Sequence, residues 1–344
     1  MYPIETGMAV PGAASALALI ALLAPVAAGF DRRFVRGPGG KGSAGRGAAY
    51  FIVRAVRLVG NARLRRDLSP MLFAAPLAFA AALMTAAAVS YSPEVSIAGQ
   101  RFSVTALDPA SGVLFSLAMI SIWAVASVFS RLGMREGKPL IEALEESSNY
   151  LSYFLAMCLS VAAVLMIEGE VNFARIIEAQ GHLPWRWNLV RQPLAFAVFS
   201  VCACAAIKVP FALGGESAAA AASAINAAAR RVLFVALAAM TAALFLGGWQ
   251  IPFAPVPLVA ETLGRLMPGW AVEPSLCALG LLCMIVKTCA AMALFSFARA
   301  SLPRLREDQF SSFAWRALVP LSMANLVVTA YIAMQLLKGG AWRQ

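Results

Sequence analysis

Charge is scarce in this chain. Only 13% of its 344 residues are Asp, Glu, Lys or Arg, against roughly 25% in a soluble domain. Acids are scarcest: 17 Asp and Glu stand against 28 Lys and Arg, for a formal charge of +11. Histidine occurs once, as His182. These shortages exclude several kinds of chemistry. No glycine-rich phosphate motif and no nucleophile–base–acid set is visible. The six cysteines (Cys158, Cys202, Cys204, Cys277, Cys283, Cys289) all fall inside apolar runs. There they read as small buried hydrophobes, not as metal ligands or disulfide halves. Cys202 and Cys204 are two apart, which splays them around a helix. Period-two alternation of the barrel type is missing, and so is an inverted internal repeat of the transporter type.

What is present is apolar sequence. Hydrophobic residues make up 61% of the chain and the mean hydropathy is +0.76. Runs of about 20 apolar residues, the length that crosses a bilayer, recur along it. The expected fold is all-α: a single polytopic membrane domain over 1–344. Eight transmembrane helices are expected near 8–30, 69–91, 111–132, 148–167, 190–212, 229–249, 273–298 and 313–337. The stretch 48–60 has helical amphipathic spacing, with Arg54 and Arg57 on its polar face, and reads as an interfacial helix. The start, MYPIETG, lacks a basic leader, so 8–30 is expected to stay as a membrane helix.

The basic residues set an orientation. The loop 31–68 holds Arg32, Arg33, Arg36, Lys41, Arg46, Arg54, Arg57, Arg63, Arg65 and Arg66. The other odd-numbered loops and their helix ends add Arg131, Arg135, Lys138, Lys208, Arg230, Arg231, Arg299, Arg304, Arg306 and Arg316. The positive-inside rule makes these loops cytoplasmic and puts both termini outside. Positive charge confined to short loops is a topology signal, and it points away from nucleic acid.

Three stretches carry the polar chemistry. In REGKPLIEALEESSNYLSYF, Pro139 suits a first helical turn. Glu142, Glu146, Asn149 and Tyr153 then form one stripe, with Lys138 and Glu145 beside it. The stripe reads either as a solvated helix extension or as the mouth of a proton path. Lys287 lies within the seventh apolar run. Near a bilayer centre it would cost about 2.5–3.5 kcal/mol, so it should face protein or water, as a structural or a proton-path residue. The loop RASLPRLREDQ (299–309) packs charge between two membrane helices and reads as an orientation anchor or a docking surface. His182, alone in a loop, reads as a surface residue, and Trp185 and Trp187 suit an interfacial aromatic belt.

The stretch 287–325, KTCAAMALFSFARASLPRLREDQFSSFAWRALVPLSMAN, resembles the membrane component of respiratory complex I known as subunit 1, or the H subunit. YLSY (150–153), WNLVRQPLAF (187–196) and LFLGGWQIPF (244–253) extend the resemblance, as do Trp315, Arg316, Pro320 and Asn325. The membrane subunit of energy-converting hydrogenases shares the pattern.

The resemblance implies a membrane-arm subunit of a proton-translocating NADH:quinone oxidoreductase, in a bacterial-type inner membrane. It would have no catalytic centre, bound metal or cofactor of its own, and quinone would be the substrate of the complex. Peripheral redox subunits and antiporter-like membrane subunits would be its partners. Arg36, Lys208, Pro210, Phe211, Glu216, Arg299, Arg304, Arg306, Asp308 and Gln309 would lie at the quinone site and cytoplasmic interface. Glu142, Glu145, Glu146 and Lys287 would serve the proton path. The chain also departs from the pattern. Phe154, Ala205 and Ala212 stand where the family has acids, and AAAAASAINAAARR replaces an acidic loop. A hydrogenase or formate hydrogenlyase-like complex is the alternative assembly, and an anchor that has lost coupling is the alternative role.

Overall fold

A computed structural model of the chain describes residues 73–93, 95–97, 100–102, 110–132, 139–207, 218–301 and 307–338, with isolated positions in 18–29 and 105–109. Over 139–147 and 218–224 it describes the backbone alone. Ten α-helices of seven residues or more lie among the described residues. They are α1 (Ala74–Ala87), α2 (Gly112–Leu132), α3 (Pro139–Glu168), α4 (Phe173–Gln180), α5 (Pro193–Ala206), α6 (Ala218–Phe245), α7 (Val256–Leu266), α8 (Gly269–Ser301), α9 (Glu307–Phe313) and α10 (Val319–Lys338). A small antiparallel hairpin, β1 (Val95–Ile97) with β2 (Gln100–Phe102), interrupts the all-α expectation. It lies between α1 and α2.

Five helical segments are long and apolar enough to span: Gly112–Ser130, Ser148–Glu168, Ile225–Phe245, Ala271–Ser301 and Ser311–Gln335. The chain is a multi-pass membrane protein. Two of the eight expected spans are shorter. α1 and α5 have 14 residues each, about 21 Å at 1.5 Å per residue, less than the ~30 Å hydrocarbon core. The first expected span is described only at scattered helical positions, of which Leu19 and Leu23 reach the core. The interfacial stretch 48–60 lies outside the described residues.

The molecule is built around α6. Every residue from Val232 to Phe245 is buried. α6 packs most extensively on α1 and then on α8. Small residues make this possible: Ala75, Ala78, Ala82 and Ala86 of α1 are fully buried, as are Ala236, Ala239 and Ala243 of α6. In lipid, helices gain by close backbone approach, and alanine permits it. The alanine-rich stretch after Ala218 is continuous with α6 in one 28-residue helix, as its helix propensity favours.

The outer helices differ in character. α10 packs on α3 and α5 through the stripe Ser322, Asn325, Thr329 and Ala333, and leaves Val327, Val328, Tyr331 and Met334 exposed. Before it, Ala314–Leu318 forms a π-helical segment in which Val319 N–H donates to Ala314 O. The wide turn accommodates Pro320, which has no N–H to continue the α-pattern.

One end of the bundle is rich in connectors. It carries the hairpin, α4, the turn Asn188–Arg191, and α7. The other end carries Leu132, Pro139, Ala206 and Ser301, where helices α2, α5 and α8 stop and α3 begins.

Candidate functional site

Polar side chains gather in two zones. The first, at the connector-rich end, forms where α6 stops. Gly247 and Gly248 take positive φ of 69° and 47°, and Gly248 N–H reaches back to Ala242 O. Gly247 N–H leaves the helix pattern and donates to Gln180 Oε1 at 3.0 Å. The last carbonyls of α6 therefore need other donors. Gln180 Nε2 supplies Ala243 O at 2.9 Å and Leu244 O at 3.2 Å, and Asn188 Nδ2 supplies Leu244 O at 2.9 Å. Both residues are fully buried. Two motifs far apart in sequence, WNLVRQPLAF and LFLGGWQIPF, are thus joined through Gln180.

Trp187 closes this knot. Its Nε1 donates to Gly181 O at 3.1 Å. A Cβ added at Gly247 would lie 2.6 Å from that Nε1. Gly247→Ala is therefore expected to combine left-handed strain of about 1–2 kcal/mol with a clash. A lowered unfolding temperature of the purified protein would register it.

Lys287 reaches the same place. Its ammonium donates to Gln250 O at 2.8 Å and lies 4.2 Å from the Trp187 ring centroid. The ammonium is thus held by a backbone carbonyl and an aromatic ring from two connectors. Cys204 Sγ meets Phe295 O at 3.8 Å, and α5 and α8 run in the same direction. That register puts Pro193, the first residue of α5, level with Met284. Lys287 thus lies less than one turn inside the level at which the connector ends and α5 begins. Trp187, expected in an interfacial belt, is half-buried beneath Lys287. Trp185 is exposed, edge-on to Phe253 at 5.5 Å. A buried ion pair completes the zone. Glu168 Oε1 accepts from Arg191 Nη1 at 2.9 Å, with side chains 3% and 34% exposed.

The second zone lies towards the opposite end. α3 runs unbroken for 30 residues from Pro139 through the acidic turn to Glu168. Asn149 is half-buried, and Tyr150 and Tyr153 are buried. Tyr150 stands edge-on to Tyr153 at 5.3 Å and to Trp123 at 5.6 Å. Nearby in the chain order of the facing helices, Asn226 Nδ2 donates to Ser130 Oγ at 2.6 Å. One turn further along α6, Arg230 is buried.

The candidate residues named from sequence fall as follows. Glu142 and Glu146 lie on the α3 backbone in line with Asn149 and Tyr153, with Glu145 beside them. Arg299 is half-buried in the last turn of α8 and Gln309 is exposed on α9; each engages a neighbour. Asp308 lies on the α9 backbone. Arg36, Lys208, Pro210, Phe211, Glu216, Arg304 and Arg306 lie outside the described residues, as does Ala212. Phe154 and Ala205 pack with the core. Among the described residues no cluster of His, Cys, Asp and Glu could hold a metal, and all six cysteines are free. Gln180, Glu168 and Arg191 make buried polar contacts that the sequence does not single out. Nothing local marks Glu168 and Arg191 as a pair, or Gln180 as a cap for a helix 63 residues on.

These features define a polytopic helical membrane subunit with a polar zone towards each end and no catalytic constellation among the described residues. The particular family follows from comparison. The profile of the family described as NADH dehydrogenase matches residues 13–330. The chain is 29% identical to the first H subunit of the NADH-quinone oxidoreductase of Cytophaga hutchinsonii over 247 residues, 68% of this chain and 68% of that protein. It is 28% identical to the H subunit of the Geobacillus thermodenitrificans enzyme over 232 residues, 64% of this chain and 63% of the relative. Against the H subunit of the Frankia casuarinae enzyme it is 30% identical over 253 residues, 70% of this chain and 52% of the relative. The matched stretches thus cover about half to two thirds of these relatives. The chain belongs to the NADH dehydrogenase family, as a membrane subunit of the H type.

Proposed function

We propose that the chain is the subunit that joins the peripheral arm of a proton-translocating NADH:quinone oxidoreductase to its membrane arm. The family match along 13–330 supports this reading. The relatives' names weigh for an NADH-quinone assembly over a hydrogenase-type one. The observation that carries a coupling role is the continuity of α3. Its acidic first turns lead without a break into Asn149, Tyr150 and Tyr153. The acidic turns run straight into the apolar span Ser148–Glu168, whose first turns carry Asn149, Tyr150 and Tyr153 beside Trp123. Glu142, Glu145 and Glu146 take up protons at the mouth of that line. Quinone is reduced at the adjacent cytoplasmic face, near Arg36, Lys208, Pro210, Phe211, Glu216, Arg299, Arg304, Arg306, Asp308 and Gln309. Lys287 belongs to the opposite zone, and both termini face outward.

The triple variant Glu142→Gln, Glu145→Gln, Glu146→Gln tests this directly. The complex should assemble and oxidise NADH, with the proton-to-electron ratio clearly reduced. An unchanged ratio would support the second reading, a structural anchor without coupling. One observation favours that reading: Phe154 and Ala205 fill family acid positions with core-packed apolar side chains.

A further inference from the structure

Buried hydroxyls in this bundle usually donate back to their own helix. Thr85 donates to Ala81 O, Ser116 to Gly112 O and Thr241 to Leu237 O. α8 departs from that habit. Met284, Thr288, Met292 and Ser296 follow one another every four residues, on one face, and all four are fully buried. Neither Thr288 Oγ1 nor Ser296 Oγ has a hydrogen-bond partner among the described residues.

A third such hydroxyl lies on α5. Ser200 stands one turn before Cys204 on the same face, and Cys204 meets Phe295 O of α8. The register puts Ser200 level with Ala291, between Thr288 and Ser296. Ser200 Oγ is buried and likewise without a partner among the described residues. Three orphan hydroxyls are thus strung along about 12 Å of one helix seam. An unsatisfied buried hydroxyl costs about 1–3 kcal/mol. Three on one seam are relieved together by ordered water, which bonds two to four polar partners.

We propose that the α5–α8 seam binds a short file of internal water, held by Thr288, Ser200 and Ser296, and that this file passes protons along α8 with no titratable side chain in line. Each water accepts a proton on its oxygen and hands another to the next, so no net charge stays on the hydroxyls. One end of the file lies beside Lys287 and the other one turn from Arg299. Its proton-carrying half rests on the reading of the chain as a subunit of a proton-translocating complex. Its water-binding half does not.

The two methionines on the stripe are built-in reporters. Hydroxyl radicals generated by X-ray radiolysis of bound water oxidise the side chains that touch it. In the intact complex in nanodiscs, Met292 should be oxidised several-fold faster than Met240 of α6, which is equally buried. Thr288→Val combined with Ser296→Ala should bring Met292 down to the Met240 rate. It should also lower the proton-to-electron ratio with NADH oxidation retained. A wild-type Met292 as unreactive as Met240 overturns the water file. Loss of labelling with an unchanged ratio overturns its proton-carrying role. A wild-type complex that translocates no protons removes that role together with the coupling function, and the labelling still decides the water.

Discussion

Replacing Gln180 with leucine is expected to cost the protein about 2–6 kcal/mol and to remove most of it from the assembled complex. Two buried groups lose their one short-range partner among the described residues: the Gly247 N–H, held at 3.0 Å, and the Ala243 carbonyl, held at 2.9 Å. Each buried group left unsatisfied costs about 1–3 kcal/mol. The Leu244 carbonyl keeps Asn188, so it is left out of the sum. Leucine matches glutamine closely in volume, so packing loss is minor and the effect isolates the hydrogen bonds. Gln180→Glu keeps the acceptor for Gly247 but removes both donors and adds a buried charge. It should be no milder. Immunoblots of the membrane-assembled complex measure both variants. Wild-type levels of Gln180→Leu would show that the end of α6 is held by something other than this cap.

The second large effect concerns the Glu168–Arg191 pair, and its size depends on which partner is removed. Arg191→Leu takes the paired cation from a carboxylate whose side chain is 3% exposed and leaves it the Asn188 amide and the less direct attraction of Arg186. Breaking a buried pair in this way costs about 3–5 kcal/mol. Glu168→Leu strands an arginine that is one third exposed and can turn its guanidinium to water. It should cost clearly less. The double variant Arg191→Leu, Glu168→Leu should recover most of the loss, because two apolar side chains replace a desolvated pair. Unfolding temperatures of the four complexes give the cycle. Equal losses from the two single variants, or no recovery in the double, would mean that the pair does not act as a unit.

The contrast between these predictions and the sequence reading has a physical basis. Membrane helices announce themselves by length and hydropathy, so α2, α3, α6, α8 and α10 are legible without a structure. α1 and α5 are less so. Their apolar stretches are long, but the helices within them are 14 residues, and what flanks them is decided by packing and by prolines such as Pro193. The stripe Glu142, Glu146, Asn149 and Tyr153 is legible because helical spacing alone puts those residues on one face. Lys287 is legible as a residue needing a partner, but its partners, the Gln250 carbonyl and the Trp187 ring, come from connectors distant in sequence. Gln180 and Asn188 are out of reach for a different reason. Their partners are backbone groups of α6, and main-chain carbonyls leave no trace in residue types.

The organising element shows the same limit. The charged loop at 299–309 draws the eye because charge is rare in this chain. The structural centre is instead α6, whose alanines are inconspicuous because their role is to let other helices come close.

Everything proposed for the two polar zones depends on this chain working as one subunit of an NADH:quinone oxidoreductase. The decisive experiment is purification of the tagged chain in mild detergent, with every copurifying protein identified by mass spectrometry. Flavin and iron–sulfur NADH-oxidising subunits are expected together with antiporter-like membrane subunits, in stoichiometric amounts. Nickel–iron hydrogenase-like subunits in their place would contradict the NADH-quinone assignment. A chain that purifies alone, from membranes in which tagged neighbours stay assembled, would contradict the assembly itself.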